Sequence, residues 1–141
     1  MLEPLLAASA AIQIHVVSAI GAALLGAVIF LRPKGSPAHR LAGRVWVGLM
    51  AIAALSSFAI YELRLWGRWS PIHILSILTL ASLLAAVLLA RAGMIRSHRL
   101  TMVSTYVGAL LIAGAFSFAP ERIMHKVLIV ALTAGKAVAG D

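Results

Sequence analysis

Cysteine is absent from this chain of 141 residues, and only four of its residues are acidic. The absence of cysteine excludes disulfides, iron–sulfur ligation, thiol catalysis and covalently attached c-type haem. The only aspartate is Asp141, so no Ser-His-Asp set can form, and no glutamate lies within a long apolar segment. Because carriers coupled to protons or cations normally need a carboxylate within the membrane, the sequence disfavours a secondary transporter.

Aromatic residues are also few, at 6 %, although the net charge is +8. Proteins that bind nucleic acid usually carry a basic stripe on a soluble face and aromatic side chains for stacking, and this sequence has neither. Lys34-Gly35 lacks the glycine-rich run of a phosphate loop and predicts only a turn. Membrane topology and anionic lipid therefore explain the charge better than nucleic acid does.

Apolar segments dominate the sequence instead, and hydrophobic residues make up 62 % of it. Long apolar runs cover 4–31, 41–60, 72–90 and 100–119. Each is close to the roughly 20 residues that an α-helix needs to cross the hydrocarbon core of a bilayer. No run alternates with a period of two residues, which excludes barrel strands. The sequence predicts an all-α integral membrane protein, a single membrane domain over residues 1–141.

The segments at the two ends of the chain each allow more than one interpretation. Lys126 and Lys136 bracket nine uncharged residues in the segment 123–139. This segment predicts a short fifth helix that either crosses the membrane, with both lysines reaching the interfaces, or lies in the membrane plane. The first apolar run lacks a basic region before it and a small-residue cleavage site, so we expect a retained span and not a signal peptide.

Residues 14–59 resemble residues 72–119, which makes the chain a tandem pair. Ile-His-x-x-Ser, His-Arg-Leu and an aromatic residue before Val-Gly occur in both parts and in the same order. Chance similarity between apolar helices does not supply matched histidines, arginines and aromatics. The matched residues are His15 with His73, Arg32 with Arg91, His39 with His98, and Trp46 with Tyr106.

Each repeat holds two spans, so both repeats enter the membrane from the same side, and a pseudo-two-fold axis is expected along the membrane normal. Short connections predict a four-helix transmembrane bundle of two tandem parallel repeats, followed by the short C-terminal helix. Polar and small residues at helical spacing are expected to face protein. They are His15, Ser18, Ala22 and Gly26 on the first helix, and Thr101, Ser104, Thr105, Gly108 and Ala115 on the fourth.

Lysine and arginine set the expected orientation. The loops 33–40 and 92–98, together with their flanks, hold more of these residues than the opposite side does. Loops with such an excess stay in the cytoplasm. We therefore expect the N-terminus and the loop 62–70 on the outer side.

The histidines fall at two depths. Counted from the matched arginines of the two repeats, His15 lies 17 residues away and His73 lies 18. Both distances correspond to roughly 25 Å along a helix, so these two histidines are level. His39 and His98 each follow their arginine by seven residues, at the inner ends of the second and fourth helices. The sequence thus offers two matched histidine pairs, one near each membrane face.

Two histidines at equal depth on different helices are what a b-type haem with two imidazole ligands requires. The outer pair, His15 and His73, is the candidate metal ligand set. The serine three residues after each of these histidines shares its helix face and could orient the ligand. The candidate cofactor-binding residues are His15, His73, Ser18, Ser76, His39 and His98. The alternative is that all four histidines are hydrogen-bonded packing or interfacial residues. His125 has no repeat partner and is expected to hold nothing.

Three groups of residues carry a resemblance to a known family. They are Lys34-Gly35 with His39-Arg40, Gly43-Arg44 and Trp46; Ser70-Pro71-Ile72-His73; and His98-Arg99 with Met102, Tyr106 and Gly108. Together they resemble the signature of a family of small predicted bacterial membrane proteins catalogued as a domain of unknown function. The resemblance implies a multi-pass protein of the bacterial inner membrane and brings no established activity. In architecture alone, without a shared motif, the chain also resembles cytochromes of the b561 type.

Two classes of function stay open. The first is a redox module, in which a four-helix bundle binds haem b, or a quinone, between the repeats and the histidine pairs conduct electrons across the membrane. The second is an accessory or structural subunit of a membrane complex, or a homo-oligomer, whose histidines and arginines only anchor helices. The lipid bilayer is a partner in both classes, and whether the protein is an enzyme stays open.

Overall fold

The computed structural model describes residues 3–60, 71–118, 125–130 and 132–133. This part of the chain is helical and contains no strand, which confirms the predicted all-α class. The loop 62–70 lies outside the described residues, as does most of the segment 123–139, although 125–130 and 132–133 are helical. The helices are α1 (Glu3–Leu6), α2 (Ala10–Leu31), α3 (Pro37–Ser57), α4 (Pro71–Arg91), α5 (Ile95–Thr105), a π segment (Tyr106–Ile112) and α6 (Ala113–Phe116).

The first apolar run differs from its prediction, because it is not one helix. The chain turns at 7–9, between α1 and α2. The side-chain amide of Gln13 donates hydrogen bonds to the carbonyls of Leu6 and Ala8, both at 3.0 Å, and thereby satisfies two carbonyl groups that the break leaves without helix partners.

Local sequence fixes where α3 begins. Ser36 is the N-cap, and its side chain accepts a hydrogen bond from the backbone nitrogen of His39 at 3.1 Å. Pro37 follows at the first helical position, where its missing N–H is not needed. The helix therefore starts ahead of the apolar run at 41, and the cap places His39 in its first turn.

The C-terminal ends of α2 and α4 are closed in two different ways. After α2, the ammonium group of Lys34 donates to the carbonyls of Ile29 and Phe30, at 3.0 and 2.6 Å. After α4, Gly93 adopts a φ of 73°, and the nitrogen of Met94 bonds to the carbonyl of Leu89 at 2.9 Å. This is the left-handed glycine cap that reverses the chain after many helices.

Contacts between the long helices form a ring. α2 packs on α3, α3 on α4, α4 on α5, and the π segment packs back on α2. In such a ring α2 lies opposite α4, and α3 lies opposite α5. The buried core that these helices enclose consists of Ala22, Trp46, Met50, Leu83 and Leu110.

The π segment coincides with a length difference between the two repeats. Leu41 matches Leu100 at an offset of 59 residues, whereas Trp46 matches Tyr106 at an offset of 60. The second repeat therefore has one additional residue just before the π segment begins at Tyr106. A π turn holds more residues than an α turn, so it absorbs the insertion without displacing the residues that follow.

The two matched aromatic residues donate hydrogen bonds to the same helix, α2. Trp46 donates from its indole nitrogen to the carbonyl of Ala22 at 2.9 Å, and Tyr106 donates from its hydroxyl to the carbonyl of Ala23 at 3.0 Å. Both rings reach α2 beside Gly26, which has no side chain to obstruct them. Together they fill the centre of the ring, between the levels of the two histidine pairs.

Candidate functional site

His15 is attached to the neighbouring helix by one ring nitrogen. Its Nδ1 lies 2.7 Å from the carbonyl oxygen of Ala53, on α3. A carbonyl oxygen can only accept a hydrogen bond, so Nδ1 carries the proton, and Nε2 keeps its lone pair. This is the arrangement in which protein histidines usually bind metal, with one nitrogen fixed by a backbone carbonyl and the other free to coordinate.

His73, the matched residue on α4, is buried and packs against the outer end of α3. Its ring stacks on Phe58, with the centroids 5.6 Å apart and the planes at 18°. One turn further on, the buried hydroxyl of Ser76 hydrogen-bonds the hydroxyl of Ser57, which also bonds to the carbonyl of Ala54 at 2.7 Å. The outer histidines thus both contact the last turns of α3, from α2 on one side and from α4 on the other.

Ser18, the remaining candidate of the outer group, is buried on α2. It lies three residues after His15, as Ser76 lies three residues after His73. The expectation that Ser18 faces protein is met by its burial, and Ser76 is buried as well.

The inner histidines differ from each other. His98 lies on α5, and its Nδ1 is 2.8 Å from the carbonyl oxygen of Ala86 on α4. By the repeat alignment, the matching bond would join His39 to Ala27. Instead, Nδ1 of His39 is buried and has no hydrogen-bond partner within the described part of the chain. An unsatisfied buried nitrogen costs free energy, so this position favours a ligand.

Burial and neighbouring basic groups act on His39. Burial lowers the pKa of His39 below its ordinary value, and the nearby Lys34 and His98 lower it further. Neutral imidazole is the form that coordinates iron, because the proton and the metal compete for the same lone pair.

His125 belongs to neither histidine pair, as the sequence indicates. Nδ1 of His125 lies 3.1 Å from the carbonyl oxygen of Phe118, at an exposed position. Within the described residues, no group of three or more histidine, cysteine or acidic side chains is arranged to hold a metal ion. The ligand sets that the sequence proposes are pairs, and a pair of imidazoles is the axial ligand set of a b-type haem.

Sequence reasoning missed one feature, a groove of about 390 Å³ between α4 and α5. It identified the polar residues on one wall as a stripe that faces protein, but it did not reveal that the two helices leave space between them. The hydroxyl-bearing residues of the groove are Thr79, Ser82, Thr101, Ser104 and Thr105.

The fold and the apolar helices define a class, that of helical proteins suited to a membrane. In the described part of the chain, Ala10–Leu31 and His73–Arg91 are long and apolar enough to cross a bilayer. Residues 12–137 match the family described as predicted membrane protein (DUF2306), and the chain belongs to this family, whose function is unknown. No curated protein and no solved structure matches the chain.

Proposed function

We propose that this protein is a multi-pass protein of the bacterial inner membrane that carries electrons through b-type haem held by its two histidine pairs. The four long helical segments form its transmembrane bundle, and the N-terminus faces the periplasm.

The helix exteriors support the membrane placement. Large apolar side chains point away from the core along the whole length of α2 and α4, among them Val17 and Leu24 on α2 and Leu78 and Leu84 on α4. A soluble monomer rarely exposes an apolar surface of that extent. Lipid is the environment that such a surface fits.

Orientation is tested by labelling single cysteines, since the natural chain has none. Ala59 lies after the outer end of α3 and Ala92 lies in the turn after α4, and both are exposed. We expect a membrane-impermeant thiol reagent to label Ala59→Cys on intact cells and to label Ala92→Cys only after lysis, because the arginine-rich ends stay inside. Labelling of Ala92→Cys alone on intact cells would reverse the orientation.

One observation carries the haem proposal: His15 and His98 each fix Nδ1 on a carbonyl of the adjacent helix. Each therefore retains Nε2 as an oriented lone-pair donor. The partner of each lies on the helix across the ring, since His73 is on α4 opposite α2 and His39 is on α3 opposite α5. Ligands from opposite helices are what an iron with two axial imidazoles requires.

Core packing supports two separate haem sites and not one. Trp46, Met50 and Leu83 fill the middle of the ring and are buried. The histidine pairs lie on either side of this packed layer, one towards each membrane face. Haem bound at both levels would supply two one-electron carriers in series across the membrane.

The second candidate function is that of an accessory or structural subunit, in which the histidines only stabilise the packing of helices. The bonds from His15 to Ala53 and from His98 to Ala86 each join neighbouring helices, and His73 packs flat on Phe58. These contacts are also what an accessory subunit of a membrane complex would need from packing histidines. The unpartnered nitrogen of His39 favours a bound group over this alternative.

The visible spectrum separates the two candidates. We expect protein purified from a haem-replete host to show a Soret band, and to show on reduction the sharp α band of low-spin haem with two imidazole ligands. Protein from a haem-deficient host, supplied afterwards with haemin, should gain the same bands. A folded protein that stays colourless under both conditions would be an accessory or structural protein, and the haem proposal would fail.

A further inference from the structure

The groove between α4 and α5 differs in chemistry from its counterpart in the first repeat. Five of its lining residues carry hydroxyl groups. The repeat alignment pairs Ser82 with Ala23, Thr101 with Ala42, and Thr105 with Val45. The first repeat folds with apolar residues at these three positions, so the repeat architecture does not require hydroxyl groups there.

One lining residue of the groove is small where the first repeat has a large side chain. Leu49 reaches α2 so closely that its Cδ1 would lie 3.5 Å from a Cβ placed on Gly21. The residue matched to Leu49 is Ala109, which lines the groove. The space between α4 and α5 has a volume of about 390 Å³. Ligand pockets for small molecules usually start at roughly 300 Å³.

The hydroxyl groups of the groove divide into two kinds. The threonines donate within their own helices, as Thr79 does to the carbonyl of Leu75 at 2.8 Å and Thr105 to the carbonyl of Thr101 at 2.8 Å. Ser82 and Ser104 have no hydrogen bond within the part of the chain that the structure describes. Each of these serines therefore has a hydroxyl proton to offer a ligand, one from each wall of the groove.

We propose that this groove binds a quinone, a lipid-soluble ring whose two carbonyl oxygens accept hydrogen bonds from Ser82 and Ser104. Leu78 and Leu100 line the groove and are exposed, so a molecule dissolved in the bilayer can reach it. No charged side chain lies among the described residues of its lining, which disfavours the phosphate of a lipid headgroup. The inference goes beyond the proposed function, because the groove contains none of the histidines, and it rests on that function only for the exchange of electrons with haem.

The test is a titration of purified, full-length protein in nanodiscs with a decyl benzoquinone, followed by quenching of tryptophan fluorescence. Gly108 lines the groove, and nothing lies within 4 Å of a Cβ built on it. Gly108→Leu adds a bulky side chain to the lining at a position where its Cβ meets nothing, and it should weaken binding at least tenfold. Ser82→Ala and Ser104→Ala each remove one neutral hydrogen bond and should weaken binding about fivefold.

Gly48 supplies the matched control. It corresponds to Gly108 in the first repeat, and a Cβ built on it also meets nothing within 4 Å. Gly48→Leu adds the same side chain outside the groove and should bind quinone as the wild type does. Equal binding by the wild type and Gly108→Leu would overturn the assignment, as would wild-type protein that binds no quinone.

Two further readouts on the same samples separate the possible failures. A change in oligomeric state on Gly108→Leu, without quinone binding by the wild type, would assign the groove to a helix of a second copy and overturn the quinone site. Haem content is measured in parallel. Haem without quinone binding would refute only the groove assignment, whereas quinone binding without haem would support the groove and refute the proposed function.

Discussion

Gly26→Ala is expected to destabilise the protein by about 3 kcal/mol, although it adds a single methyl group. A Cβ at this position would lie 2.7 Å from Cδ2 of Tyr106 and 2.8 Å from Nε1 of Trp46, well inside van der Waals contact. Neither ring can withdraw freely, because each donates a hydrogen bond to α2 beside Gly26, at Ala22 and Ala23. The substitution therefore costs overpacking strain together with part of both hydrogen bonds.

The measurement is the free energy of unfolding in mixed micelles, followed by circular dichroism. Gly48→Ala is the control, since it makes the same change in a long helix at a position with open space around the new Cβ. Alanine has a higher helix propensity than glycine, so this variant should be as stable as the wild type or slightly more stable. Equal stability of Gly26→Ala and Gly48→Ala would show that the two aromatic rings do not meet at α2.

The second large effect concerns the histidine pairs. His98→Ala should lower the haem content from about two groups per chain to about one, and His73→Ala should do the same, because each removes one axial ligand of a different haem. The double variant should bind none. Haem content is measured as the pyridine haemochrome and divided by the protein concentration, with circular dichroism as the check that the helices survive.

His125→Ala is the matched control for these variants. His125 is only partly buried and has no counterpart in the other repeat, so its loss should leave the haem content unchanged. If His98→Ala and His73→Ala kept their full haem content while folded, the ligands would lie elsewhere. If all three substitutions lowered it equally, the effect would be one of stability and not of ligation.

Much of the fold could be predicted because it depends on local sequence. The apolar runs predict the long helices, and Ser36-Pro37 explains the start of α3 through a cap and a proline at the first helical position. The matched histidines and aromatics predict that the two repeats pack side by side. The sequence also contained a signal for the π segment, the single additional residue between Leu100 and Tyr106, but its meaning becomes clear only once the helix is seen to continue without a break.

The features that could not be predicted depend on side-chain packing between helices. The turn at 7–9 interrupts a run of apolar residues that gives no periodicity signal of a break. The groove beside Ser104 and Ala109 exists only when α4 and α5 are in place, so no pattern along the chain reveals it. In the same way, sequence matches His39 with His98 but cannot reveal that only His98 reaches a carbonyl.

The central claim is that the two histidine pairs hold haem, and the most direct measurement is the ratio of haem to protein in the purified wild-type chain. The protein should be produced in a host supplied with a haem precursor and extracted in a mild detergent, so that a loosely held group is retained. The account predicts about two haem groups per chain, in a low-spin state with two imidazole ligands each. A folded, monodisperse protein with no haem would contradict it.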